Sequence, residues 1–543
     1  MQLTTIQSPS TEPNSIQSVP LSKRKINKVT FVELDSAYND FSTPTLMPRT
    51  YGMVVVATVV RNLGYDVKVY CEHISPIDMR RISESDLVCF SGLTSAANKT
   101  FALADHIRHN YDVPMVFGGT FASYFADLCL EHVDYVIRNE GDETIVDLMR
   151  ALEDGRSLDN IRGLSYRGAH GNVHNPARES VHDIEVIHDL SLVEGYDQKS
   201  QLKLLLTQRR IRWICLQASR GCPFSCNFCV APVMYGRGYR MRAVDSVVAD
   251  IKDKLRYGSY FLFVDNYFTA NRKYVKQLLK RMIAEGIHAS FSAFTRCEAT
   301  EDDELMGLLR QAGFQTMYMG AESLSDDVLI RLNKHQTIEK VRRAIENIKR
   351  HGMMVTITFQ AGNDEDDQFA VKRAVDFGLE NDVDGVYFIS AWSWPEDHKP
   401  VLDKQRMILK SLDYANGHFV THFPMQMKPS TLQRSILEQQ RRFWSPTRIA
   451  GFIRRGRWDR VAHLVMQRYA LFMFEKPVRE YVPVLERIEE GYYDRNERLD
   501  LEKIARRDLR YDGEFNDKYV GRLVGSYQGV EAGQLRPVGA YRP

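Results

Sequence analysis

The sequence predicts an α/β protein in three parts: an N-terminal doubly wound parallel sheet, a partial TIM-type (β/α)6 barrel and a helical C-terminal region. Three observations lead there. Short β-branched runs alternate with helical stretches from Lys28 onward; a second series of such runs begins near residue 206; after about residue 425 the strand pattern stops. A chain of 543 residues is too long for one core and suits about three domains. The expected divisions are a disordered N-terminus over 1–27, the sheet domain over 28–165, a linker over 166–205, the barrel over 206–425 and the helical region over 426–543.

In chain order, residues 1–27 are rich in Ser, Thr, Pro and Gln with few large apolar side chains, a composition that cannot build a core. The first series then runs VTFVEL, a helix near Gly52 to Leu63, VKVYCE, DLVCFSG, a helix near Asn98 to Asn110, PMVFGG and DYVIRNEG. In an open parallel sheet the ligand sits beyond the carboxyl ends of the strands, where Ser91 to Thr94, Gly118–Gly119–Thr120 and Asn139–Glu140–Gly141 fall. Residues 166–205 are polar and irregular, as a linker would be. The second series runs IRWICLQ, YFLFVDNYF, ASFSAFTR, TMYMGAES, VTITFQAGND and GVYFISAWS, each followed by a plausible helix, so a barrel site is expected at these carboxyl ends too. The helical region holds one basic, aromatic stretch, FWSPTRIAGFIRRGRWDRVAHLVMQRYALFMF. It reads either as a helix that touches a membrane surface or covers a lipid-like substrate, or as an ordinary amphipathic helix on the barrel with Arg454, Arg455 and Arg457 in solvent.

Composition narrows the partners. Apolar content of 44%, charged content of 26% and a net charge of +2 fit a soluble globular protein with no field for nucleic acid. The longest aliphatic stretch, Met53 to Val60, falls far short of the about 20 residues that span a bilayer, and no apolar signal core stands near the start, so a cytoplasmic location is expected. Eight cysteines are too sparse for a disulfide scaffold. Cys71, Cys89, Cys129, Cys215 and Cys297 lie in apolar settings and read as buried small hydrophobes. The other three are clustered.

The segment Ser219-Arg-Gly-Cys222-Pro-Phe-Ser-Cys226-Asn-Phe-Cys229 directly follows a strand candidate. Three thiolates at this spacing can ligate three irons of a cubane and leave the fourth without a protein ligand; a structural zinc site would want a fourth Cys or His, and none lies close in sequence. This CxxxCxxC motif, with an aromatic residue before its last Cys, resembles that of the radical S-adenosylmethionine superfamily. The resemblance implies a [4Fe–4S] cluster on Cys222, Cys226 and Cys229, with S-adenosylmethionine chelated to the open iron and cleaved to a 5′-deoxyadenosyl radical. It also implies an electron donor such as flavodoxin or ferredoxin. Met319-Gly320-Ala321-Glu322-Ser323 looks like the family's glycine–glutamate segment, which makes Gly320, Glu322 and Ser323 candidates for S-adenosylmethionine, Glu322 through the ammonium group. Phe228 matches the aromatic residue beside the adenine, and Asp265 resembles an acid at the end of the second barrel strand that faces the site; helix capping or solvation is the plainer reading of both acids. Arg240 and Arg242 resemble an arginine-containing run after the cluster loop, or form a solvated basic face.

The first domain carries a second resemblance: GGTFASYFADLCLEHVDYVIRNEGDET looks like a stretch of the cobalamin-binding domains fused ahead of radical enzymes. Ser91, Thr94, Gly118, Gly119, Glu140 and Gly141 would then line the cobalamin, though any open α/β sheet needs small residues at its strand ends. The loop from Asp35 to Pro48 has no histidine, so the resemblance gives cobalt no His ligand from below. Together the sites suggest a C-methyltransferase that uses the deoxyadenosyl radical and methylcobalamin on an unactivated carbon of a small-molecule or lipid-like substrate. The alternatives are a radical enzyme that forms a ring, a carbon–carbon bond or an oxidised product, and a non-catalytic iron–sulfur or cobalamin sensor. A transfer-RNA methylthiotransferase would need three loop cysteines in the first domain, whereas Cys89 is placed in a strand and Cys129 in a helix.

Overall fold

The computed structural model describes residues 23–36, 51–196, 213–236, 238–391, 406–408 and 412–505. Residues 1–22 of the expected disordered tail, residues 37–48 of the loop expected below cobalt, and residues 506–543 lie outside them.

The first domain is a seven-stranded sheet in the order β2-β1-β3-β4-β5-β6-β7. β1 (Lys28–Glu33), β2 (Asp66–Cys71), β3 (Leu87–Ser91), β4 (Met115–Gly118) and β5 (Tyr135–Ile137) run parallel. Their side chains alternate between two cores. Val29, Phe31, Leu87 and Cys89 face a cluster that includes Met53 and Val54 of helix Tyr51–Asn62 and Leu148 of helix Thr144–Asp154; Val32, Val88 and Phe90 face Leu103 and Ile107 of helix Ala97–Asn110. Burial on both faces explains the near-continuous apolar runs. The order reverses between β1 and β3, which puts the topological switch at the carboxyl ends of those strands.

Two expectations at the margins are corrected. Ile26, placed in the disordered tail, is 3% exposed in the core, and Arg24 N donates to Leu152 O, so the folded chain starts before Lys28. The stretch from 166 is not all linker: β6 (Leu164–Gly168) and β7 (Gly171–His174) add an antiparallel hairpin to the sheet. β7 is the edge and mostly exposed, so it lacks the apolar run that marks the inner strands. Val181, Ile184 and His188 are also buried.

β8 (Ile214–Leu216) opens the second sheet, and β9 (Ser219–Gly221) pairs antiparallel with β10 (Tyr239–Met241) as a ribbon around the cysteine loop. β11 (Tyr260–Phe263), β12 (Ser290–Thr295), β13 (Phe314–Glu322), β14 (Met354–Ala361) and β15 (Gly385–Ser390) follow β8 in sequential parallel order, with helices between them. A sequential parallel order is what a (β/α)6 partial barrel requires, and Phe261, Phe263, Phe291 and Phe314 stack in its core. The basic aromatic stretch is broken into helices Pro446–Arg454 and Trp458–Ile488, because Gly456 turns left-handed at φ 67° between them. The second helix packs on the barrel through Arg460, whose guanidinium lies 2.9 Å from the buried Asp384. Arg454 and Arg455 are exposed, whereas Arg457 is half-buried and pairs with Asp459.

Candidate active site

β8 delivers the chain to a loop that cannot wander. Asp265, at the carboxyl end of β11, accepts hydrogen bonds from Ala218 N at 3.1 Å and from the Ser219 hydroxyl, and so fixes the root of the cysteine loop. Burial pushes its carboxyl up to about 6, against those hydrogen bonds. Both oxygens face the loop, which corrects its expected place beside S-adenosylmethionine to that of a brace beneath the site. Gly221 follows at φ 89°, where a Cβ would run into the carbonyl of Gly238 across the ribbon.

Cys222, Cys226 and Cys229 then lie close enough for their charges to act on one another. Burial raises the Cys222 thiol and pushes Cys229 up to about 11, so these sulfurs need a cation to hold them as thiolates. Among the described residues no three ligating side chains converge on one point as they would around a single ion. Cys226 has a cation at hand: Arg296 Nη1 lies 3.6 Å from its Sγ, and the same guanidinium stacks 3.8 Å from the centre of the Phe224 ring.

Glu322 comes to this group from β13. The pairing of β13 with β14 shifts register between Gly320 and Glu322, and Glu322 is left-handed at φ 66°. Gln336 Nε2 holds this bulge by donating to the carbonyls of Gly320 and Ala321 at 3.0 and 3.1 Å. The Glu322 carboxylate takes a hydrogen bond from Lys334 Nζ at 2.7 Å. A Cβ at Gly320 would collide with Glu322 Oε1 and stand 2.7 Å from Lys334 Nζ, so glycine leaves the space in which an ammonium meets this carboxylate. Burial pulls the Lys334 pKa down, but the charges of Glu322 and Cys226 and the hydrogen bond to Glu322 together hold it above its ordinary value. Lys334 also lies 5.6 Å from the centre of the Phe228 ring, and its carbonyl accepts from Arg296. Cys222, Cys226, Cys229, Phe228, Gly320 and Glu322 are thus brought together, joined by Arg296 and Lys334. Ser323 is buried beside them, its hydroxyl accepting from Ser325 N at 3.1 Å.

The sequence reading missed Arg296 and Lys334. Arg296 directly follows β12 and could have been found by the rule that barrel sites gather at strand carboxyl ends. Lys334 sits in a loop 12 residues after Glu322 and carries no signal of its own.

In the first domain, Ser91, Gly118 and Gly119 end β3 and β4 next to the switch point and are partly exposed. Gly119 has φ 92°, and a Cβ there would press 3.1 Å from the Ser91 hydroxyl, so glycine is what lets the ends of β3 and β4 meet here. Thr94 is buried, and the turn it opens packs against Leu412–Tyr414. Gly141 is partly exposed. Glu140 departs from its expected place against cobalamin: it is buried and pairs with Arg220 at 2.9 Å and Arg240 at 2.8 Å, both from the barrel domain. Of the two readings of Arg240 and Arg242, an arginine-containing run after the cluster loop or a solvated basic face, the second does not hold for Arg242, which is buried against Asp250 at 2.7 Å. Asn139 Nδ2 donates to Val233 O at 2.5 Å, and Asn98 Nδ2 to Asp413 at 3.1 Å. The carboxyl edge of the first sheet therefore abuts the cysteine loop and the segment beyond β15. Among the described residues no helix is long and apolar enough to cross a membrane.

Two family models match: the radical SAM superfamily over residues 216–372 and the B12 binding domain over residues 44–149. An uncharacterized methyltransferase of Pyrococcus horikoshii is 27% identical over 361 residues, covering 63% of this chain and 76% of that protein. An anaerobic magnesium-protoporphyrin IX monomethyl ester cyclase of Rubrivivax gelatinosus is 24% identical over 380 residues, 66% of each chain. A hopanoid C-3 methylase of Methylococcus capsulatus is 25% identical over 345 residues, 59% of this chain and 63% of its own. Among solved structures, the radical S-adenosylmethionine methyltransferase TsrM of Kitasatospora setae superposes with a TM-score of 0.57 at 18% identity, over 67% of this chain and 72% of its own. The cobalamin-dependent S-adenosylmethionine radical enzyme OxsB superposes with a TM-score of 0.57 at 16% identity, over 92% and 80%. At these identities the superpositions establish a shared fold.

Proposed function

The chain belongs to the radical S-adenosylmethionine enzymes that carry a cobalamin-binding domain, with a [4Fe–4S] cluster, S-adenosylmethionine and cobalamin as cofactors, and we propose that it is a C-methyltransferase acting on an unactivated carbon of a small-molecule or lipid-like substrate. The observation that supports this best is the apposition of the two sites: the turn after β5 touches the ribbon that carries Cys222. When bound, the cluster and S-adenosylmethionine supply a 5′-deoxyadenosyl radical, and methylcobalamin supplies a methyl group. The protein's share is position and exclusion. Cys222, Cys226 and Cys229 would hold three irons as thiolates, Glu322 would accept the ammonium of S-adenosylmethionine in the space Gly320 leaves, and Phe228 would flank the adenine. Ser91, Gly118 and Gly119 would form the floor for the corrin. The contacts of the sheet edge with the cysteine loop would help to keep water and stray hydrogen donors from the reacting groups once the cofactors are bound. An electron donor of the flavodoxin or ferredoxin type completes the system.

A non-methylating reading draws support from the cyclase likeness, since the same sites can serve ring formation. The test separates the two. Protein purified without oxygen, reconstituted with iron, sulfide and cobalamin, and reduced with dithionite is incubated with S-adenosylmethionine, and the products are read by mass spectrometry. Methyl transfer predicts 5′-deoxyadenosine together with cobalamin-dependent S-adenosylhomocysteine; deoxyadenosine alone moves the assignment to the non-methylating reading.

A further inference from the structure

We propose that Arg220 and Arg240 are positioning residues of the cysteine loop, held in place by Glu140 and Asp142 of the first domain, so that filling the cobalamin site and loading the loop with iron are thermodynamically coupled. Arg220 stands two residues before Cys222 on β9 and lies directly opposite Arg240 on β10. Two like charges opposed on a two-stranded ribbon repel, and both of these are buried or nearly so, at 7% and 13% side-chain exposure. Nothing in the ribbon itself offsets them. The anions come from across the domain boundary. Arg220 grips both oxygens of Asp142 at 3.0 Å, Glu140 Oε1 accepts from Arg220 at 2.9 Å and from Arg240 at 3.1 Å, and Glu140 Oε2 accepts from Arg240 at 2.8 Å. Two cations and two carboxylates make a neutral, largely buried quartet. Removing one member leaves an unpaired buried charge, which costs far more than breaking a surface pair.

Glu140 and Asp142 flank Gly141 on the turn after β5, at the ligand-facing edge of the first sheet. One turn therefore looks two ways: Asn139 N donates at 2.7 Å to the hydroxyl of Ser123, on the helix that follows Gly119, while the carboxylates of Glu140 and Asp142 neutralise the ribbon that leads into Cys222. A ligand that orders this turn lowers the cost of ordering the ribbon, and iron that orders the ribbon returns the same factor to the ligand, because such coupling is reciprocal. The inference rests on the assignment of Cys222, Cys226 and Cys229 to the cluster.

The test measures hydroxocobalamin affinity by visible absorption titration of the full chain, once loaded with iron and sulfide and once iron-free. The wild type is expected to bind about tenfold more tightly when loaded, and cobalamin is expected to change the electron paramagnetic resonance spectrum of the reduced cluster. In Asp142→Asn the affinity ratio falls to about one and the spectral change disappears. Should that variant fail to fold, Glu140→Gln combined with Arg240→Gln removes one cation and one anion together, and is expected to lose the ratio while keeping the wild-type far-ultraviolet circular dichroism. A wild-type ratio of one in a chain that takes up iron, or a ratio unchanged in the variants, overturns the coupling alone. A wild-type chain that takes up no iron overturns the cluster assignment as well.

Discussion

Glu322 holds a left-handed backbone that a side chain longer than glycine's rarely adopts, at a cost of about 1 to 3 kcal/mol. Such strain persists where the surroundings insist on it, and here the bulge in β13 and the Gln336 amide do so, aiming the carboxylate at Lys334 beside the cysteines. Glu322→Gln keeps the shape and removes the charge. A hydrogen bond to a charged group contributes about 1.5 to 3 kcal/mol, so S-adenosylmethionine should bind about 10- to 100-fold more weakly to the iron-loaded variant by equilibrium dialysis, with iron content unchanged. Equal affinity would remove Glu322 from the site. Asp265 makes a different prediction. Its folded pKa, about 6, lies above the ordinary 3.8, so its neutral form is favoured by folding; its contribution is fully present below pH 3.8 and is lost as the pH rises through about 6. Asp265→Asn does not titrate, so from pH 4 to pH 8 the variant should gain on the wild type by up to about 3 kcal/mol in denaturant melts. A constant difference across that range would mean that Asp265 ionises freely. Glu322 was legible because it ends a strand in a motif of known pattern. The brace role of Asp265 was not, because a carboxylate at a strand end looks the same whether it faces a ligand or the backbone beneath.

The parallel strands of both sheets were legible as elements, because burial on both faces makes each of them an apolar run between breakers. The hairpin of β6 and β7 was not, since an edge strand exposes its side chains and reads as loop. The C-terminal helices were legible only as helix: the split at Gly456 requires a left-handed residue whose need arises from packing, and one glycine inside a basic run does not announce it. Helix Trp458–Ile488 is anchored by Arg460, which is 5% exposed and lies 2.9 Å from Asp384 and 3.4 Å from Asp382. Burial already pushes Asp384 up to about 6 against the pull of Arg460. Arg460→Met leaves that carboxylate without its partner, which should cost about 3 kcal/mol at pH 8, where it must stay charged. Near pH 5 Asp384 is protonated with or without Arg460, so the cost should shrink to the loss of packing. Chemical denaturation at the two pH values checks this, and an equal loss at both would mean that the arginine acts through its aliphatic stem alone.

Across the whole molecule the apolar interior does not respect the division into domains. One buried cluster runs from Val29 and Phe31 of the first sheet, through Leu190 and Tyr196 of the connecting stretch, to Ile214 and Phe261 of the barrel and on to Leu471 and Leu485 of the long helix. Tyr51 and Val55 of the first domain also pack directly against Cys215 of β8. The expected linker concealed this, because short buried segments among polar residues leave no periodic signal. A continuous core and a buried ionic quartet at the same boundary mean that the first domain cannot leave the barrel without exposing apolar surface and stranding charge. Salt screens such buried pairs little, so ionic strength should not separate the two parts. The expected outcome is a single calorimetric unfolding transition whose calorimetric and van't Hoff enthalpies agree, unlike the separate transitions of domains joined by a flexible tether. Two resolved transitions in the wild type would show that the shared core fails to bind the halves into one unit. The two cofactor sites would then be held together by their ligands and not by the chain.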